Sequence, residues 1–133
     1  MNPVARPEKH ALEFHDSEIL AVRKIGADLE VTLDGYLHCE EEGRKTGWIQ
    51  PVIFVFANGK DALGSIEFPA SILTGNLFVS GTEIEELIQL PFDGKGSCRF
   101  FGLTALSQNF EFIGDAIAIH AVGEAKYVEE VPF

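Results

Sequence analysis

The chain predicts an all-β fold, an antiparallel sandwich or partly open barrel of about eight or nine strands with at most one or two short helices. Three observations carry this. From Asp28 to Cys39 apolar and polar residues alternate almost without a break, so Leu29, Val31, Leu33, Leu37 and Cys39 share one side of an extended chain. Glu30, Thr32, Asp34, Tyr36 and His38 take the other side. Further apolar runs recur between turns rich in Gly, Asn and Asp, and no helices alternate with them, which argues against a parallel sheet.

Element by element, residues 1–10, with Pro3 and Pro7, read as a loose lead-in to a single domain covering 1–133. Leu12 to Phe14 and Glu18 to Lys24 predict a first strand broken around His15-Asp16-Ser17. Gly26-Ala27-Asp28 turns the chain into the alternating strand, and Glu40 to Gly47 reads as a charged loop. Val52 to Phe56 is continuously apolar, as in a strand covered on both faces, and Asn58-Gly59 after it signals a hairpin. That turn sets Phe54 opposite Leu63 and Phe56 opposite Asp61, with Ala62 to Phe68 as a weak return strand at an edge.

Asn76 to Ser80 predicts a short strand. Thr82 to Glu85 has capping-box spacing, and Ile84, Leu87 and Ile88 stand at helical intervals, so a helix of about two turns is expected before Pro91, with a strand as the alternative. Asp93 to Gly96 is a turn into a strand over Cys98 to Leu106. Gly114-Asp115 predicts a last tight hairpin that sets Phe112 opposite Ile117 and Phe110 opposite Ile119. Tyr127 to Val131 offers a final strand.

The composition narrows the function classes. A chain of 133 residues with 46% hydrophobic residues and eleven Phe has the apolar area for one well-packed core. Ten basic against twenty-one acidic residues give a formal charge of −11, which opposes binding to nucleic acid or to an anionic membrane. It reads first as a charge that keeps a Phe-rich domain soluble and, more sharply, as a contact surface for a basic protein partner. The first residues carry no apolar signal segment, so a cytoplasmic location is expected, with Cys39 and Cys98 reduced. Two cysteines without Cys-x-x-Cys spacing make no zinc or redox motif.

The polar cluster His15-Asp16-Ser17-Glu18 stands out inside an apolar stretch. Its residues His15, Asp16 and Glu18, together with His38 and His120, are the candidate binding residues. A metal site would draft His15, Asp16, His38 or His120, but no two His have a ligand-pair spacing, so neither metal nor cofactor is expected. The local expectation is structural: Asp16 and Ser17 bond backbone N–H groups where the strand breaks, and His15 is partly buried. The last hairpin would also bring Glu111 diagonal to His120. No catalytic residues are assigned, because no serine has a nucleophile-elbow context and no cysteine an electropositive one.

Phe14-His15-Asp16-Ser17-Glu18-Ile19 at the start of an all-β chain resembles a motif of small, mostly uncharacterised bacterial families, some of them similar to immunity proteins encoded beside polymorphic toxins. The closing residues Gly123 to Glu130 are also similar to the ending of such families. The resemblance implies a cytosolic β-rich binding protein without catalytic residues. Three functions follow in order: a non-catalytic acidic domain that binds a protein, immunity-type neutralisation being one version; a barrel that encloses a small apolar ligand; and a metal-dependent enzyme in which the candidate residues converge. Self-association through an edge strand at Ala62 to Phe68 is a further expectation.

Overall fold

The computed structural model describes residues 6–64, 66–85 and 87–131. Ten strands run as β1 (His10–Ile25), β2 (Asp28–Glu41), β3 (Arg44–Ala57), β4 (Lys60–Asp61), β5 (Ala70–Val79), β6 (Thr82–Ile84), β7 (Leu87–Gln89), β8 (Phe92–Thr104), β9 (Asn109–Ala121) and β10 (Lys126–Glu130). Every pairing is antiparallel. Six of them close a barrel in the order β3-β2-β1-β5-β8-β9, with β9 returning to β3. The short strands lie outside this ring: β10 extends β3, β7 extends β1, β6 extends β5 and β4 extends β9. No helix occurs among the described residues, so none is long and apolar enough to cross a membrane. The first five residues of the expected lead-in lie outside the described residues, and β1 already begins at His10.

Closure follows from the long alternating strands. β2 buries Leu29, Val31, Leu33, Leu37 and Cys39, the set its period-two pattern selects. A barrel of six strands is narrower than the eight-stranded barrels that hold ligands, and side chains fill it. Here they are Phe14, Phe54, Phe56, Phe100, Phe110 and Phe112, all buried and in mutual contact, with Phe100 4.9 Å from both Phe14 and Phe54. The barrel axis is a stack of tilted rings.

Several sequence expectations are corrected. Val52 to Phe56 is not covered on both faces: Val52, Phe54 and Phe56 are buried while Ile53 and Val55 are half-exposed. The Asn58-Gly59 hairpin does not form, because both edges of β3 are taken at Phe56, by Leu29 of β2 and by Ile117 of β9. The chain crosses instead to pair Lys60 with Ile113. Ala62 to Phe68 is then not a return strand, and no strand is present among its described residues to offer an edge for self-association.

The charged loop over 40–47 is a continuous ladder closed by the two-residue turn Glu42-Gly43, both at positive φ, as a type I′ turn requires. Ser80-Gly81 makes a turn of the same kind, and it converts the expected helix at Thr82 into β6. Asp93 to Gly96 lies within β8, at a bulge between Lys95 and Cys98. Gly114-Asp115 is not a turn. Neither residue has positive φ, and β9 passes straight through, with Phe112 opposite Phe100 and Phe110 opposite Gly102. Gly114 is needed for room instead, since a Cβ there would stand 2.9 Å from the Ala57 carbonyl. The four apolar side chains still share the inward face the alternation predicts: Phe110, Phe112, Ile117 and Ile119 are all buried.

Candidate functional site

The larger of the two register breaks in β1 is the His15–Glu18 segment. β1 pairs with β2 at Glu13↔Tyr36 and resumes at Glu18↔Asp34, so β1 carries extra residues between them. Asp16 takes up the excess in the left-handed region at φ 72°, which Asp tolerates better than most residues. The bulge resets which side chains face out. Phe14, Ser17 and Ile19 are buried, while Glu13, His15, Asp16 and Glu18 all point away from the core.

Ser17 makes this possible. Its hydroxyl is fully buried, donates to the Glu13 carbonyl at 2.6 Å and accepts from the Tyr36 N–H at 2.9 Å, replacing the ladder bonds that the bulge removes. The expectation that Ser17 would bond backbone at the strand break therefore holds. His15 differs from expectation: its side chain is about half exposed (49%), with Nδ1 3.4 Å from Asp16 Oδ1.

Two arrangements grow from the bulge. On one side β1 meets β5 only at Glu18↔Ser71 and Ile19↔Ala70, and beside that contact a cleft of about 330 Å³ opens. His15, Asp16 and Glu18 supply its polar side and the exposed Leu73 its apolar side, with Ile72 buried beneath. Ser71 Oγ donates to Glu18 Oε2 at 3.4 Å and steadies that carboxylate. Beside the cleft the backbone N–H of Ala105 bonds the Ser71 carbonyl, which ties the β8–β9 loop and its exposed Leu106 to this side of the barrel.

On the other side a polar chain runs across the outer face. Glu13 Oε2 lies 3.1 Å from His38 Nε2, and the His38 ring packs edge-on to Tyr36 at 5.1 Å. Tyr36 donates its hydroxyl to Glu129 Oε1 on β10 at 2.8 Å. The tyrosine can lie down over β3 because residue 47 is glycine; a Cβ there would stand 2.0 Å from the Tyr36 oxygen. Burial, the bond to Glu129 and the charges of Glu129, Glu13 and Asp16 together raise the Tyr36 pKa well above its ordinary value. The Glu13 carboxylate also approaches the bulge tip: one ligand atom each from Glu13, His15 and Asp16 all lie within 4.8 Å of one another.

Of the five candidate residues, the structure gathers His15, Asp16 and Glu18 at the bulge and connects His38 to them through Glu13. His120 stands apart. It is exposed on β9 opposite Ile53, and its expected partner Glu111 lies nine residues along the same strand, about 30 Å away. Glu111 is engaged by Arg99 at 2.5 Å, and Arg99 also covers the Phe101 ring. Glu13 and Tyr36 were missed as site residues. The available signal was parity, since both fall on the outward side of their strands beside His15 and His38.

No family model, curated protein or solved structure matches the chain. The site therefore rests on geometry alone. The two thiols add no chemistry to it. Cys39 and Cys98 are buried, and burial pushes Cys39 up to about 11 and Cys98 upward too, which keeps both protonated and unreactive.

Proposed function

We propose that this chain is a non-catalytic, acidic binding domain of the cytoplasm whose β1 bulge receives a lysine or arginine side chain from a protein partner. The observation that carries this reading is the cleft of about 330 Å³ that brings the Asp16 and Glu18 carboxylates together with the exposed side chain of Leu73. A long basic side chain is itself divided this way, with an apolar stem and a cationic head. The formal charge of −11 would steer such a partner and speed its encounter. Exposed Leu73 and Leu106 near the cleft supply apolar contact at its edge. The resemblance of Phe14 to Ile19 to immunity-like families supports neutralisation of a toxin as one version of this role. An enclosed apolar ligand is less well supported, since the six phenylalanine rings occupy the space it would need.

The test is a titration of the ¹⁵N-labelled protein with a peptide of alternating arginine and leucine, against the same peptide with glutamate in place of arginine. Saturable shifts at residues 15–18 and 71–73, weakened by salt and by the double variant Asp16→Asn/Glu18→Gln, are expected. Shifts scattered over the surface, or undiminished in the double variant, would refute the reading.

A further inference from the structure

We infer that the bulge also builds a binding site for one divalent transition-metal ion of the zinc class, with Glu13, His15 and Asp16 as ligands and His38 as the residue that aims Glu13. A regular strand cannot present three donors from positions 13, 15 and 16, because residues 15 and 16 would face opposite ways. The left-handed turn at Asp16 removes that obstacle and puts both on the outer face with Glu13.

The spacing is close to what a metal needs. Zinc bonds of about 2.0–2.2 Å to nitrogen and oxygen in tetrahedral geometry place neighbouring donors about 3.4 Å apart. His15 Nδ1 and Asp16 Oδ1 already stand at 3.4 Å. Glu13 completes a set within 4.8 Å, so closing onto an ion takes a shift of about 1 Å in side chains, two of which are exposed. One imidazole with two carboxylates is a borderline donor set, suited to Zn²⁺ and Co²⁺ rather than to the all-oxygen cages of Ca²⁺.

His38 gives the cluster a feature that a chance group of exposed acids lacks. Its imidazole holds Glu13 at 3.1 Å and is itself packed against the buried Tyr36, so the carboxylate nearest the core has a fixed orientation before any ion arrives. Three protein ligands leave a fourth position open to water or to a donor from a partner. The site shares His15 and Asp16 with the cleft, but it does not depend on the peptide reading, because its test uses the metal ion alone.

The test is calorimetric titration of chelator-stripped protein with ZnCl₂, repeated with CoCl₂ to record the visible absorption of the bound ion. One ion per chain is expected. His15→Ala and Glu13→Gln should each weaken binding at least about tenfold, while His120→Ala, remote from the bulge, should leave it unchanged. His38→Ala should weaken binding about tenfold yet leave the Co²⁺ bands where they are, because the coordinating atoms are the same. Circular dichroism of each variant establishes that it is folded. Absence of saturable binding, or equal affinity in His15→Ala and Glu13→Gln, would overturn the site; displaced Co²⁺ bands in His38→Ala would overturn the role given to His38.

Discussion

β1 and β2 lie side by side and pair along most of their length, yet they serve different ends. β2 keeps one parity from Leu29 to Cys39, and each inward position goes to the core. β1 slips its register twice, between Glu13 and Glu18 and again between Ile19 and Ala21. The first slip costs no core residue, since Phe14 and Ile19 on either side are both fully buried, and it delivers four polar residues outward within six positions. An intact alternation fills the barrel; a broken one, repaired by a buried hydroxyl, presents chemistry on its surface. Bulges serve the same end in other sheets, where they re-aim side chains.

Substitutions should separate the two regions by size of effect. Phe100 sits in the ring stack, between Phe14 and Phe54 and 5.2 Å from Phe110. Phe100→Ala should lower unfolding free energy by about 3–5 kcal/mol in urea titration. A loss under about 1 kcal/mol would mean the interior is not packed as described. Next comes the repair of the bulge. Ser17→Ala leaves the Tyr36 N–H and the Glu13 carbonyl without their partner and should cost about 2 kcal/mol. It should also speed hydrogen exchange at Tyr36, whereas Phe100→Ala should act on the barrel as a whole.

The pH dependence sharpens the contrast at the outer face. Tyr36 has its pKa raised in the folded state, first by burial and then by Glu129, so unfolding releases a proton more readily at high pH. Its contribution is complete below the ordinary value of 10.0 and is lost as pH climbs above it. Tyr36→Phe should flatten that alkaline decline. His10 behaves in the opposite sense. Burial lowers its pKa, the Glu8 carbonyl opposes this, and the Arg6 charge adds to it, so stability is present above the ordinary 6.5 and falls as pH drops below it. His10→Gln should remove that acid-side slope in thermal melts recorded between pH 7 and 5, and an unchanged slope would show that His10 is not held neutral.

The alternation of β2 made the fold class legible, since side-chain parity is a local property. Pairing was not legible, because it depends on which edges are already occupied. Asn58-Gly59 has the composition of a hairpin turn, but Phe56 already has a neighbour on each side. Gly114-Asp115 has it too, and there the glycine serves close packing against β3 rather than a turn. The candidate site was half visible. The break at His15-Asp16-Ser17 showed in the sequence, but its partners Glu13, Tyr36 and His38 come together only through the β1–β2 register, which the bulge itself shifts.

The smallest expected effect on stability is the most informative about function. Asp16 is exposed and holds φ 72°, a conformation glycine adopts without strain. Asp16→Gly should leave stability unchanged or raise it by no more than about 1 kcal/mol, because the left-handed residue loses its Cβ penalty. Asp16→Val should be destabilising, since a β-branched residue resists that φ. The same Asp16→Gly variant removes a carboxylate from the wall of the cleft, so its affinity for the arginine–leucine peptide should fall while its melting temperature does not. A protein that loses both together would have its bulge carboxylate serving the barrel, as β2 does, and the division between the two strands would fail.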